Sequence, residues 1–308
     1  MTAPDFTAPK AAYERYDGIL LGANVSVAKT GLLAAVEETI RYDANTFMIY
    51  TRSNRGGKAR PITEFHRDEG WALMRQHAIA DPVVHLSYLV NLASPKPDTW
   101  AYGVSVLREE IERVAYLGFR YIVMHPGSHV GEGPAYAIER IAEGLNEVLT
   151  GEEPLTVCLE TMAGDGSKVG NSLEEIAAII ERVHHGDKLG VCIDTCHNHS
   201  YGYDIVSDFD GFLELFDRIL GLDRLKVVHI NDSKTPFGSR KDRHANIGEG
   251  SIGLAALKRI VHHEQLRGIP LILETPGGKY RAEMDLLLDR PRGPEELYVP
   301  LGGSGEPA

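Results

Sequence analysis

Nine side chains in this sequence have the chemistry to hold metal ions: His85, His125, Glu160, Asp194, His197, His229, Asp242, His244 and Glu274. All offer nitrogen or oxygen donors, a set that suits zinc and admits manganese or iron at one or more positions. In the stretch FGSRKDRHANIGEG, residues 237–250, Asp242 and His244 stand two apart. On an extended loop two such side chains point the same way and form a claw, with Arg240, Lys241 and Arg243 as cations on the opposite side. A catalytic zinc usually takes about three protein ligands and a two-metal centre about six, so nine with a bridging carboxylate suit three divalent ions. Three such ions bring about +6 against the carboxylates Glu160, Asp194, Asp242 and Glu274. The site is then locally cationic, although the chain carries a formal net charge of −12. That is a site for an anion.

The elements that must position these residues are readable as apolar runs of strand length. They lie at 18–26, 46–51, 82–87, 121–125, 154–160, 189–195, 225–230 and 269–275. These runs are rich in Val, Ile and Leu and nearly continuous in apolar character, as parallel strands covered on both faces should be. Amphipathic stretches separate them at 32–41, 64–79, 99–117, 135–149, 172–183, 209–220 and 252–263, with a weaker one at 281–288. Eight βα units in series predict an α/β fold of the (β/α)8 TIM-barrel type, with the metal site at the C-terminal face of the strands. His85, His125, Glu160, Asp194, His229 and Glu274 lie at or near the ends of six consecutive strands. A carboxylate ending an apolar strand costs free energy unless it is paired or metal-bound. The recurrence, not any single member, carries the reading.

The length of 308 residues fits a single barrel, expected over 10–290, between a flexible N-terminus at 1–9 and a flexible tail at 291–308. There is no apolar run of about eighteen residues and no basic-then-apolar leader, so the expectation is a cytoplasmic protein with no membrane contact. Cys158, Cys192 and Cys196 are too few and too uneven for a disulfide framework and read as reduced thiols filling apolar space. The acidic balance argues against non-specific polyanion binding but leaves room for a local positive site.

The stretches VVHLSYLVN, MHPGSHVG, LETMAGDGSKVG, VCIDTCHNHSYGYDI, HINDSKTPFGSRKDRHANIGEG and LILETP resemble the endonuclease IV family, and they occur in that family's order from about residue 18 to 276. This is AP endonuclease family 2, trinuclear-zinc TIM barrels of base-excision repair. The resemblance implies one zinc held by His85, His125 and Glu160. A second would be held by a bridging Glu160 with Asp194, His229 and Glu274, and a third by His197, Asp242 and His244. One position departs from the pattern: the family's opening GAHVS or GSHVS is GANVS here, so Asn24 stands for a histidine at the barrel mouth, next to the ligands.

The implied reaction is hydrolysis of the phosphodiester 5′ to an apurinic/apyrimidinic site in double-stranded DNA, leaving a 3′-hydroxyl and a 5′-deoxyribose phosphate. The resemblance also implies trimming of blocked 3′ ends. Glu160 and Glu274 would be the catalytic carboxylates, with water made nucleophilic by metal coordination. Arg52 and Arg55, with Arg240, Lys241 and Arg243, would contact the duplex backbone without reading sequence, and Tyr88 and Leu89 would enter it near the lesion. A monomer located at the nucleoid during repair is the simplest expectation. The rival is a divalent-metal sugar isomerase or epimerase on the same barrel type, for which a third metal site has no clear use.

Overall fold

Short parallel strands buried on both faces build the centre of the molecule, whose computed structural model describes residues 6–53 and 56–291. The strands are β1 Leu20–Ala23, β2 Met48–Ile49, β3 Val83–His85, β4 Tyr121–Met124, β5 Thr156–Glu160, β6 Leu189–Asp194, β7 Leu225–His229 and β8 Pro270–Leu273. Each pairs in parallel with its chain neighbour from β2 to β8, and β8 pairs with β1. Closure between β1 and β2 is made by a bridge from Asn24 to Met48 and by the Val25 N–H on the Met48 carbonyl at 2.9 Å. Gly22 is needed at this seam, because a Cβ there would lie 1.9 Å from the Thr46 carbonyl oxygen. The expected eight-stranded barrel is present.

Side-chain alternation divides the strands into two layers. Met48, Val83, Val123, Cys158, Cys192, Val227 and Ile272, one from each of β2 to β8, form a fully buried inner cluster. Their neighbours, such as Val84, Ile122, Val157, Val191 and Val228, face the surrounding helices. Those helices are α1 Leu32–Arg41, α2 Arg67–Gln76, α3 Pro97–Leu117, α4 Pro134–Val148, α5 Leu173–Ile180, α6 Phe209–Leu220, α7 Leu254–Val261 and α8 Tyr280–Leu287. All three cysteines are buried and free, two of them in the inner cluster.

At the N-terminal edge Phe6 packs against Trp71, the rings tilted at 45° with centroids 5.4 Å apart. The terminal segments 1–5 and 292–308, part of the expected flexible ends, lie outside the described residues. No described helix is long and apolar enough to cross a membrane.

Candidate metal centre

The C-terminal strand ends deliver the expected side chains to one buried cluster. Glu160, at the end of β5 and 1 % exposed, is its hub. Its Oε2 lies 3.0 Å from His85 Nε2 and 3.3 Å from His125 Nε2. Its Oε1 lies 3.1 Å from His229 Nδ1 and 3.3 Å from His197 Nδ1. His229 Nδ1 also faces Glu274 Oε2 at 3.1 Å and Asp194 Oδ2 at 3.9 Å. His85, His125 and Glu160 thus form one potential ligand group, and Glu160, Asp194, His229 and Glu274 a second.

The third group is more open. His197 Nε2 lies 3.2 Å from Asp242 Oδ2, and His244 Nε2 lies 3.4 Å from Asp242 Oδ1. Asp194 also joins His197 and His244 within ligand range, so Asp194 stands between the second and third groups. Sequence reading alone places it in the second.

Three imidazoles are fixed in the tautomer a metal requires. His85 Nδ1 sits 2.7 Å from the Leu86 carbonyl, His197 Nδ1 2.8 Å from the Thr161 carbonyl and His244 Nδ1 3.3 Å from the Glu274 carbonyl. A carbonyl only accepts, so each Nδ1 carries a proton and each Nε2, aimed at the carboxylates, is left to take either a metal ion or a second proton. His197 Nε2 and His244 Nε2 are buried with no hydrogen-bond partner. Unpaired buried ring nitrogens aimed at carboxylates are costly unless a cation takes the lone pair, and the donor set fits divalent metal ions.

Electrostatics point the same way. Burial would raise the Glu160 pKa, but positive charge on His229 and His125 outweighs it and holds the carboxyl well below its ordinary range. Glu274, likewise opposed by burial, is held down to about 2, chiefly by His229. Asp242 is held down against burial by His197, and then by His244 and Lys168. Conversely, burial lowers the His197 pKa while Asp194 and Asp242 raise it well above its usual value. Without metal, protons occupy the positions where cations belong.

The supporting residues include several that sequence reading missed. Asp194 caps the helix Thr195–Tyr201, its Oδ1 accepting the His197 N–H at 2.8 Å. Asn231 donates through Nδ2 to Asp194 Oδ2 at 2.7 Å and accepts the Glu274 backbone N–H on Oδ1 at 3.0 Å, orienting the Asp194 carboxylate and holding the backbone that carries Glu274. Asp232 is fully buried and accepts from the backbone N–H groups of Ser233, Gly248, Gly250, Ile252 and Gly253. It thereby fixes the loop after the antiparallel pair Asp232–Ser233 and His244–Ala245. No spacing rule marks Asn231; the glycines at 248, 250 and 253 are the one trace of the cradle around Asp232.

Outside the cluster the expected contacts divide. Tyr88 and Leu89 project from the β3 loop, 50 % and 38 % exposed. Arg240, Lys241 and Arg243 are exposed on the loop that carries Asp242 and His244, with Arg240 over the Tyr201 ring. Arg52 departs from the expectation of a backbone contact. Its side chain is 8 % exposed and bonded to Glu109 and Glu110 of α3, each at 2.8 Å, so it anchors its loop internally. Arg55 lies outside the described residues. Asn24 is half-buried at the seam, its N–H on the Leu273 carbonyl at 3.0 Å.

Comparison with known proteins places these features in context. Residues 36–291 match the Xylose isomerase-like TIM barrel family. A probable endonuclease 4 from Geobacillus sp. (strain WCH70) is 58 % identical over 258 residues, covering 83 % of this chain and 87 % of that protein. The crystal structure of endonuclease IV from Thermus thermophilus superposes with a TM-score of 0.72 at 34 % identity, covering 86 % of this chain and 98 % of the other. An L-ribulose 3-epimerase, at 18 % identity and a TM-score of 0.63, covers 88 % of this chain and 91 % of its own and shares the fold.

Proposed function

The chain belongs to the endonuclease IV family, and from that premise we propose that it hydrolyses the DNA phosphodiester 5′ to abasic sites, using three divalent ions held by the nine clustered side chains. The observation that carries this reading is the set of imidazoles whose Nδ1 is tied to a carbonyl while Nε2 converges on Glu160 and Asp242. His85, His125 and Glu160 would hold one ion, Glu160, Asp194, His229 and Glu274 the second, and His197, Asp242 and His244 the third. Zinc suits all of these donors, with manganese or iron admissible at some positions. When bound, the ions would supply activation of water at neutral pH and neutralisation of phosphoryl charge.

The protein's own groups complete the task. Glu160 spans two ligand groups with its two oxygens, which fixes their separation. Glu274, 7 % exposed beside Glu160 and His229, is placed to orient attacking water and to hold its proton. Arg240, Lys241 and Arg243 supply phosphate contacts, and Tyr88 and Leu89 fill the space that a missing base leaves in the duplex. Double-stranded DNA with abasic or 3′-blocked sites is the proposed partner of a monomer acting in the cytoplasm at the nucleoid.

Sugar epimerisation on the same barrel is the competing reading, and the third ligand group disfavours it. The test incubates one zinc-loaded preparation with two substrates, a duplex carrying a single reduced abasic analogue and a panel of ketoses. Incision of the duplex without epimerisation supports the proposal. Ketose turnover by protein that leaves the duplex intact would overturn it.

A further inference from the structure

The loop after β4 carries an exposed valine in a conformation that valine avoids. Val130 has φ +47° and is 56 % exposed. Among the described non-glycine residues with positive φ it is the one β-branched side chain, the others being Tyr, Asp, Lys, His, Ala and Arg. A β-branched residue in the left-handed region is strained, and burial of its side chain does not offset the cost here.

The turn that imposes this conformation is well constructed. His129 Nδ1 accepts the N–H of Gly131 at 3.1 Å and of Gly133 at 3.0 Å, so residues 129–133 wrap around the imidazole. A Cβ built at Gly131 or Gly133 would meet nothing within 4 Å, which places the turn clear of the protein body. Its base is rigid: the His129 N–H bonds the Ser167 carbonyl at 2.9 Å, and Gly127–Ser128 pairs with Lys168–Val169. Asn91 bonds Ser128 through both its amide nitrogen and its oxygen, each at 2.9 Å. Since Asn91 follows Tyr88 and Leu89 on the β3 loop, it ties Val130 to the same unit as those exposed apolar residues. Lys168, on the paired segment, reaches Asp242 at 3.4 Å, so the unit borders the proposed metal site.

We infer that Val130 is a further apolar contact to the bound duplex, held out by the His129-centred turn on the loop that Asn91 ties to the one bearing Tyr88 and Leu89. The turn also carries the exposed acid Glu132, so its partner is the uncharged sugar and base edge rather than a phosphate. This inference rests on the DNA-repair reading above. Strain at an exposed position is retained because the side chain it presents acts on the substrate.

Two substitutions separate strain from contact. Val130→Asn accepts the left-handed backbone and removes the apolar surface; Val130→Leu keeps apolar surface without β-branching. Val130→Asn is expected to raise Tm while weakening binding to a duplex with a reduced abasic analogue by roughly tenfold. Val130→Leu is expected to bind like the native protein. Zinc content should be the same in all three, since Val130 is not among the ligands. A Val130→Asn protein that binds the abasic duplex as tightly as the native one would overturn the inference and leave the DNA-repair reading intact. Native protein that does not prefer the abasic duplex to an undamaged one would instead remove the reading on which the inference rests.

Discussion

Asp232 is the most exacting point at which to perturb the account, because a single buried carboxylate gathers five backbone N–H groups. Its Oδ1 accepts from Ser233 at 2.8 Å, Ile252 at 3.0 Å and Gly253 at 3.2 Å, and its Oδ2 from Gly248 at 3.0 Å and Gly250 at 3.1 Å. In Asp232→Asn one of these oxygens becomes an NH2 group, and whichever way the amide turns at least two N–H donors face another donor. Hydrogen bonds to a charged group contribute about 1.5–3 kcal/mol each, so losing two costs about 3–6 kcal/mol. That is comparable to a large fraction of a domain's whole stability of about 5–15 kcal/mol. The loop at 246–253 is also held by Asn246 and the Ile247 N–H on Glu283, by the Ser251 N–H on the Ser233 carbonyl and by buried Ile247 and Ile252. With the Asp232 cradle weakened, its 248–253 part should open locally before the barrel unfolds. Exchange of its amide hydrogens should accelerate by about a hundredfold or more, and zinc content should fall by about one ion per chain as Asp242 and His244 lose their support. Exchange and zinc content unchanged from the native protein would refute the assignment of Asp232 as the loop's anchor.

Three further outcomes follow from named contacts. Glu110, fully buried, meets Arg52 at 2.8 Å and Arg113 at 3.2 Å and accepts from Thr51, so Glu110→Gln should lower stability in urea by about 3–5 kcal/mol, whereas less than about 1 kcal/mol would contradict the buried pairing. Loading metal-free protein with zinc near neutral pH should release protons into a weakly buffered indicator, because His197 is held protonated by Asp194 and Asp242; zinc uptake with no acidification would contradict this. Metal-free protein should have its highest Tm between about pH 4.5 and 6.5. Glu274, depressed from 4.5 to about 2, contributes stability that is lost as pH falls, and His197, raised above 6.5, contributes stability that is lost as pH rises. A Tm that climbs steadily through pH 8 would contradict that balance.

The ligands were legible in the sequence because a histidine or carboxylate closing an apolar strand is costly to bury unless something pairs with it, and here the pattern recurs on strand after strand. Element boundaries were less legible where the chain turns away at the mouth. The run at 46–51 supplies only Met48–Ile49 as paired strand, since Thr51 leaves to join the Glu110 cluster. The helix expected over 64–79 begins at Arg67, because Ile62–Glu64 forms a separate short turn and His66 takes φ +44°. Arg52 looked like a free cation because its partners Glu109 and Glu110 lie on α3, far along the chain and invisible to local pattern. Asn231 and Asp232 act through backbone and side-chain geometry that exists only once β7 and its loop are folded.

The central claim is hydrolysis at an abasic site by a metal-dependent centre, and the most direct measurement examines the end it leaves. A duplex with one reduced abasic analogue, which cannot break by β-elimination, is incubated with the native protein, with chelated protein and with chelated protein reloaded with zinc. The account predicts a nick whose 3′ end a polymerase extends, absent after chelation and restored by zinc. An intact duplex with fully loaded protein, or a nick that survives thorough chelation, would contradict it.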